Sequence, residues 1–582
     1  MKHISDPEHT INKRLYKLYP PEIAERAVSS IIDLIFKYKS RIVPNEYHLS
    51  QKDIILITYG DQVNKDHEAS LHTLNEFMNN HLKGVINSIH ILPFYPSSSD
   101  GGFSVVNYNA VDPHMGSWRE IEHISADYRL MVDGVINHVS QFSDWFKAYL
   151  SGDKYFQDYF IEMDPSTDLS KVVRPRATPL LSEFTDDEGK IRHIWTTFSK
   201  DQVDLNYQSH RVLRNVLDSM FYYIEKGATL IRLDAIAFIW KELGTECVHL
   251  PQTHELIQLM REVLHEVAPE VIIITETNVP HHENVSYFGS GADEAQMVYN
   301  FALPPLLVHS ILTKNTETLT SWAQTLTLPS DKVCFFNFTA SHDGIGLRPI
   351  KGILSDDEVN HIVEKVQEHG GLVSFRAEED GTKTPYELNC SYIDALTNPN
   401  EDDKIRFKRM LLAQATVLVM PGVPGIYFHS LVGSQNYHDG VKHSGINRTI
   451  NREKYNIDWL EKELSTQGSL AKTMFDSYKR LISIRINEEA FNPFGKFKFL
   501  DLDKRLFVVD QKCCKNIDRI IAIHNFSDEV VSCVLPDDIL LPLCDILMSN
   551  CTINPSNVYK DSRKIILEPY QIMWLKGKVT EL

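Results

Sequence analysis

The chain has 582 residues, 43% of them hydrophobic, and a formal net charge of -19. That length exceeds one ordinary domain and suits a large unit with appendages, while the acidic balance leaves no cationic surplus for phosphates and excludes a nucleic-acid binder. No apolar run approaches the roughly 18 residues of a membrane span, and the polar stretch Met1 to His9 lacks the apolar core of a secretion signal, so a cytoplasmic protein without a membrane partner is expected.

Residues 1–50 read as a helical N-terminal extension, because the run from Ala24 to Phe36 places apolar residues at helical spacing. From residue 54, strand-length apolar runs alternate with helical stretches, the pattern of a parallel α/β sheet. Eight strands are predicted, at 54–58, 88–92, 130–136, 229–233, 271–275, 297–301, 333–339 and 417–428, with helices between them such as 68–80, 210–226 and 254–267. Eight strands with intervening helices make a (β/α)8 TIM barrel, here over 51–490. Two connections exceed ordinary loops, and long loops in compact domains usually carry function. One, about 139–205, is rich in Asp, Pro and aromatics; the other, about 344–410, holds a predicted helix from Asp356 to His369 and a polar hairpin-like stretch over 378–383. From 491 to 582 short β-rich runs such as 506–509 and 520–524 predict a C-terminal all-β domain. The eight cysteines show no Cys-x-x-Cys spacing, so reduced structural thiols are expected rather than a zinc cluster or disulfide framework.

Three predicted strands run out onto acids. The run 227–233 ends on Asp234, two residues after Arg232; the run 271–275 ends on Glu276; the run from Phe335 leads to His342 and Asp343. Any one of these acids alone also suits a helix N-cap. Three in order, one flanked by Arg and one by His, point instead to a shared pocket at the C-terminal face of the barrel. Cleaving a glycosidic bond with retention needs such a set: a nucleophile and an acid/base roughly 5 Å apart, with room for a third carboxylate to steady the developing positive charge.

Arg232-x-Asp234, Glu276 and His342-Asp343 resemble the nucleophile, acid/base and transition-state-stabiliser motifs of glycoside hydrolase family 13, the α-amylase family. Asp133 to His138, with Asp-x-x-x-Asn-His spacing at a strand exit, matches a further motif of that family. The resemblance implies that His138 hydrogen-bonds the glucosyl ring with Asp133 and Asn137 as support, and that the insertion at 139–205 is a B-type domain. The stretch Phe94 to Val105 is similar to the one closing the glucose subsite of sucrose phosphorylases, which implies that Asp100 holds sugar hydroxyls and that Phe103 offers a stacking platform. Asp100-Gly101-Gly102 is also turn chemistry, and a turn is how such an acid would be presented. Arg174-Pro175-Arg176 resembles the phosphate-side motif of the same subfamily, where the second Arg lies near phosphate. Tyr386-Glu387 stands where those enzymes carry Tyr-Gln, and Arg452 matches their active-site Arg better than Arg448 does. Planar guanidinium donors suit a phosphate's oxygens; solvated surface arginines are the plain alternative for Arg176 and Arg448.

Within the subfamily, Thr275 to Pro280, Ser341 to Pro349 and Tyr386 to Asn389 are most similar to glucosylglycerate phosphorylases. The resemblance implies a retaining transfer of glucose from an α-glucoside to inorganic phosphate through a covalent glucosyl-Asp234 intermediate. Its partners are phosphate and small sugars, with no metal or organic cofactor, acting as a monomer or homodimer. A carboxylate acceptor beside Glu387 calls for a cation, for which Lys383, Arg376 and Lys442 are candidates. The rival readings are a sucrose or sucrose 6'-phosphate phosphorylase, a hydrolase of the same family using water, and a catalytically silent binding subunit. The intact acid set argues against the last.

Overall fold

The computed structural model describes residues 7–44, 47–176, 178–377, 383–513, 518–537, 545–550, 558–559 and 563–578. Its centre is a closed barrel of eight parallel strands in chain order: β1 (Ile55–Thr58), β2 (Ser88–Ile91), β3 (Arg129–Gly134), β4 (Ala228–Leu233), β5 (Ile272–Thr275), β6 (Met297–Tyr299), β7 (Cys334–Asn337) and β8 (Val423–Tyr427). Closure is made by β1 against β8, with Ile55 opposite Gly425. Strands such as Ile272–Thr275 and Cys334–Asn337 are buried at every position, as parallel strands covered on both faces must be. Helices outside the barrel cover them with apolar side chains. In His210–Glu225 these are Val212, Leu213, Val216, Leu217, Met220 and Ile224, a spacing of three and four residues.

The first fifty residues form two helices, Pro7–Leu18 and Pro21–Lys39, packed on the outer helices Pro251–His265 and His210–Glu225. Arg14 donates to Glu262 at 2.7 Å and Glu255 at 3.1 Å, and Lys37 reaches Asp218 at 2.7 Å.

The eighth strand is shorter than the 417–428 predicted. Residues 417–419 instead end the buried helix Asp403–Val419, and β8 starts at Val423. A continuous apolar run does not distinguish buried helix from buried strand; the break is made by Pro421 and Gly422. Gly422 adopts φ +129°, and a Cβ there would lie 2.2 Å from the Phe335 carbonyl oxygen, so only glycine lets the chain turn so close to β7.

Both long connections carry their own sheets. The first pairs His138–Ser140 with Gln202–Asp204 and forms a hairpin of Leu181–Thr185 and Ile191–Trp195. The second places the helix Asp356–Glu368, capped by Ser355 and Glu358, before an antiparallel pair, Leu372–Ala377 and Lys383–Asn389, that adds Ile345–Gly346 at its edge. Residues 378–382 of the expected hairpin lie outside the described residues. Beyond residue 495 the described strands form a five-stranded and a three-stranded sheet, which enclose Leu506, Val508, Ile521, Ile523, Val531, Ile565 and Met573. Near the junction, buried Arg485 donates to the carbonyls of Gln51, Leu418 and Gly422 at 2.6, 2.9 and 3.1 Å. Cys247, Cys334, Cys390, Cys513 and Cys533 are free thiols; Cys514, Cys544 and Cys551 lie outside the described residues. Among the described residues no helix is long and apolar enough to cross a membrane.

Candidate active site

Asp234 follows β4, Glu276 follows β5 and Asp343 lies six residues past β7, and all three open onto one cleft. None is a helix N-cap: the short helices that follow start from Ala235, Pro280 and Leu347. Asp234 and Glu276 come from register-matched positions, since Leu233 pairs with Thr275 and the Glu276 N–H donates to the Leu233 carbonyl at 3.1 Å.

Arg232 organises these two acids. Its guanidinium, almost fully buried, bonds Asp133, lies 2.9 Å from Asp234 Oδ1 and 3.7 Å from Glu276 Oε2. Burial pushes both carboxyls up, and the nearer guanidinium favours the ionised form of Asp234. Glu276 is pushed up to about 7 by burial, against Arg232 and with the added repulsion of Asp234 and Asp343. Two neighbouring carboxyls with unequal environments are the arrangement in which acid and anion roles separate. The Ala235 N–H, on a left-handed residue at φ 49°, donates to Glu276 Oε2 at 3.1 Å and fixes its carboxyl. Behind Arg232, Asp133 is also held by His90 at 2.7 Å. Asn137 and Asp204 are held by the buried Lys241 ammonium at 2.9 and 2.6 Å, a support no motif indicated.

Asp343 faces the opposite balance. Burial opposes its ionisation, but the charges of Arg448, Arg452 and Arg232 hold it well below the usual carboxylate range. Its neighbour His342 is pushed down to about 3 by burial and stays neutral near neutral pH. The Phe103 ring lies flat on His342, centroids 4.6 Å apart and planes 5° apart, so one face of the expected stacking platform is already taken by the histidine. His138 Nε2 sits 2.9 Å from the Phe103 carbonyl and 3.2 Å from Gln202 Nε2.

Asp100 sits in the expected turn, at φ 53°. A Cβ on Gly102 would lie 2.5 Å from the Pro93 carbonyl, which makes glycine the condition for presenting Asp100 here. Its carboxylate accepts from Arg176 and from Gln202, both at 3.2 Å. Burial works against its ionisation, and Arg176, Arg448 and Arg452 together overcome that, leaving it below its ordinary value.

The two downstream arginines divide differently from the sequence reading. Arg448 lines the cleft, with Nη1 at 2.5 Å from Asp343 and a two-pronged contact to Glu387 at 2.6 and 3.0 Å. Arg452 stands farther back, 3.9 Å from Asp343, and donates to the His342 carbonyl at 2.7 Å. The surface reading of Arg448 therefore fails. Glu387 turns away from the cleft: it is buried and bonded by Arg448 and by the Asn389 amide at 2.6 Å. Its counter-charge is Arg448, not Lys383, Arg376 or Lys442. Lys442 is an exposed partner of Asp439 at 3.1 Å, and Lys383 and Arg376 line a neighbouring chamber. Tyr386 does line the cleft, as do Gln202, Thr277, Asn278 and Arg348, which sequence reasoning did not single out. Gln202 lies in the first insertion, outside its Arg174-Pro175-Arg176 motif. Arg348 was part of the Ser341 to Pro349 signature, and its position five residues past Asp343 was the available signal.

A sequence model described as "Alpha amylase, catalytic domain" matches residues 80–343. Glucosylglycerate phosphorylase of Spirochaeta thermophila is 42% identical over 98% of this chain and 99% of its own length. That of Escherichia coli is 42% identical over 91% of this chain and 92% of its own. Among solved structures, sucrose 6F-phosphate phosphorylase from Thermoanaerobacter thermosaccharolyticum superposes with a TM-score of 0.71 at 26% identity, over 82% of this chain and 94% of that one. The chain belongs to glycoside hydrolase family 13, the α-amylase family, in the sucrose phosphorylase-like branch that contains the glucosylglycerate phosphorylases.

Proposed function

We propose that this enzyme transfers glucose from 2-O-α-glucosyl-D-glycerate to inorganic phosphate, yielding α-glucose 1-phosphate and D-glycerate. The observation that carries the chemistry is the pair of acids at the ends of adjacent, register-matched strands, Asp234 and Glu276, of which burial pushes Glu276 up to about 7. Neighbouring strands lie about 4.8 Å apart, which suits the roughly 5–5.5 Å of a retaining enzyme rather than the wider gap that admits a water in an inverting one. Asp234 attacks the anomeric carbon while Glu276 protonates the leaving oxygen; the glucosyl-Asp234 ester is then opened by phosphate, with Glu276 as base. Asp343, kept anionic, stabilises the oxocarbenium-like charge. Arg176, with its side chain one third exposed beside Asp100, is the phosphate's guanidinium. Asp100, His138 and Arg232 hold or frame the glucosyl unit, with Phe103, His342 and Arg452 behind them.

The substrate assignment draws on the two relatives named glucosylglycerate phosphorylase, each 42% identical over more than nine tenths of this chain. The same reading divides the chain into a helical extension to about residue 50, a barrel with two insertions, and a C-terminal β domain from about 491, working in the cytoplasm as a monomer or homodimer. The test is an acceptor screen with α-glucose 1-phosphate as donor. D-glycerate is expected to exceed fructose, fructose 6-phosphate, glycerol and glycerol 3-phosphate in kcat/KM; a better result with fructose or fructose 6-phosphate would refute the substrate and leave the mechanism standing.

A further inference from the structure

Glu387, which the sequence places beside the acceptor, has a buried carboxylate held by three donors. Nε–H and Nη2–H of Arg448 donate to its two oxygens at 3.0 and 2.6 Å, and the Asn389 amide donates to Oε1 at 2.6 Å. Asn389 is itself oriented by the Ser374 hydroxyl, which donates to its side-chain oxygen at 2.7 Å. The remaining arm of the guanidinium, Nη1, lies 2.5 Å from Asp343 Oδ1. One guanidinium thus joins a carboxylate that lines the cleft, Asp343, to one buried behind it, Glu387.

The backbone is shaped around this contact. Glu387 lies opposite Gly346 where Lys383–Asn389 pairs with Ile345–Gly346, so its strand runs beside the segment leaving Asp343. A Cβ on Gly344, the residue after Asp343, would lie 2.6 Å from Glu387 Cγ and 2.4 Å from the Leu388 carbonyl oxygen; glycine is what lets the Glu387 side chain pass so close. The turn Asn447–Asn451, which carries Arg448, is tied to the same segment, with the Asn451 amide donating to the Ser341 and Asp343 carbonyls at 3.1 and 3.0 Å. Arg452 brings a second guanidinium 3.9 Å from Asp343. Two guanidiniums drawing on one carboxylate mute the negative charge it offers an oxocarbenium-like centre. Sharing Arg448 with Glu387 limits that pull, and the two-pronged contact holds the long arginine side chain in one pose. We infer that Glu387 is a positioning residue for the transition state: through Arg448 it fixes the Asp343 carboxylate and preserves its charge towards the reacting sugar. This deepens, and rests on, retaining glucosyl transfer at Asp234, and it is independent of which acceptor follows.

The experiment forms the glucosyl-enzyme from α-glucosyl fluoride in a single turnover, with neither phosphate nor acceptor present, in the wild type, Glu387→Gln and Glu387→Asp. Calorimetry on the same proteins compares binding of glucose with that of the protonated iminosugar deoxynojirimycin, which carries the positive charge that glucose lacks. In Glu387→Gln the maximal rate of adduct formation should fall roughly tenfold, less than the roughly hundred- to thousandfold lost with a group that touches the developing charge. The iminosugar should weaken by a similar factor while glucose binds as before, and Glu387→Asp, which keeps the charge, should restore the iminosugar's advantage. Should Glu387→Gln not fold, Glu387→Asp decides: its shorter reach should slow adduct formation several-fold with the iminosugar preference held. Adduct formation at the wild-type rate overturns the inference, and if losses then appear only when phosphate or D-glycerate is added, Glu387 serves the acceptor instead. Equal weakening of glucose and iminosugar in Glu387→Gln also overturns it, since general damage to the site predicts that pattern. A wild-type enzyme that forms no adduct overturns the retaining mechanism itself.

Discussion

Burial pushes Glu276 towards its neutral form, and replacing it with glutamine separates acid catalysis from everything else. The rise from the ordinary 4.5 to about 7 corresponds to roughly 3 kcal/mol of preference for the neutral form. Near neutral pH about half the free enzyme therefore holds the proton needed by the leaving oxygen, and each further pH unit removes about tenfold. Formation of the glucosyl-enzyme, followed in a single turnover without phosphate, should fall on the basic side with a midpoint near 7 for a glucosyl glycerate. The donor α-glucosyl fluoride needs no proton, so with it the same step should survive in Glu276→Gln and lose that basic limb. The second step still requires a base, so the mutant should stall as a trapped adduct detectable by mass spectrometry. Equal inactivity on both donors, or a basic limb near 7 that persists in the mutant with the fluoride, would refute the reasoning. Stability carries the same signature. Because the folded value lies above the unfolded one, Glu276's contribution is full below about pH 4.5 and is lost as the pH rises through 7. The melting temperature of Glu276→Gln relative to wild type should therefore increase between about pH 5 and pH 8, and a difference independent of pH would count against burial as the cause.

Asp234→Asn should abolish turnover and leave no glucosyl adduct, because a carboxamide is a poor nucleophile at an oxocarbenium-like centre; an adduct mapped by mass spectrometry to another residue would sink the assignment. Arg176→Ala should raise the phosphate KM roughly ten- to a hundredfold while harming glucosyl transfer from α-glucosyl fluoride to water far less, and an unchanged phosphate KM would return Arg176 to a surface role. Arg448→Ala removes the counter-charge of Asp343 and Glu387 together and should lower stability by about 3–5 kcal/mol, with part of the loss recovered in Arg448→Ala/Glu387→Gln. Denaturant titration reads both variants, and identical stabilities for the single and double variants would show that Glu387 carries no unpaired charge.

Much of this protein is written locally in its chain. Strand-length runs of Ile, Val and Leu that end on Asp234 or Glu276 declare both a doubly covered parallel strand and a polar group at its exit, because burial and alternation act over a few residues. The same holds for the helical extension and for the turn at Asp100, where glycine is the local requirement. The limit of such reading shows at 417–419, where an apolar run suits helix and strand alike and the close approach of Gly422 to β7 decides. It shows more sharply in the charges. Glu387 and Arg448 are 61 positions apart, and nothing in either segment states that they meet; the antiparallel strand Lys383–Asn389 and the short turn Asn447–Asn451 bring them together. Once they do, the energetic cost of an unpaired buried charge compels the pairing, turns Glu387 away from the cleft and sets Arg448 between Glu387 and Asp343. Gln202 reaches Asp100 and His138 only because the first insertion returns to pair Gln202–Asp204 with His138–Ser140, and Arg348 lines two cavities where Leu347 is pinned to Tyr386. Which acids end the barrel strands was local information. Which charge answers which depended on the paths of the two insertions, since ion pairing acts through space between segments whose separation along the chain carries no signal.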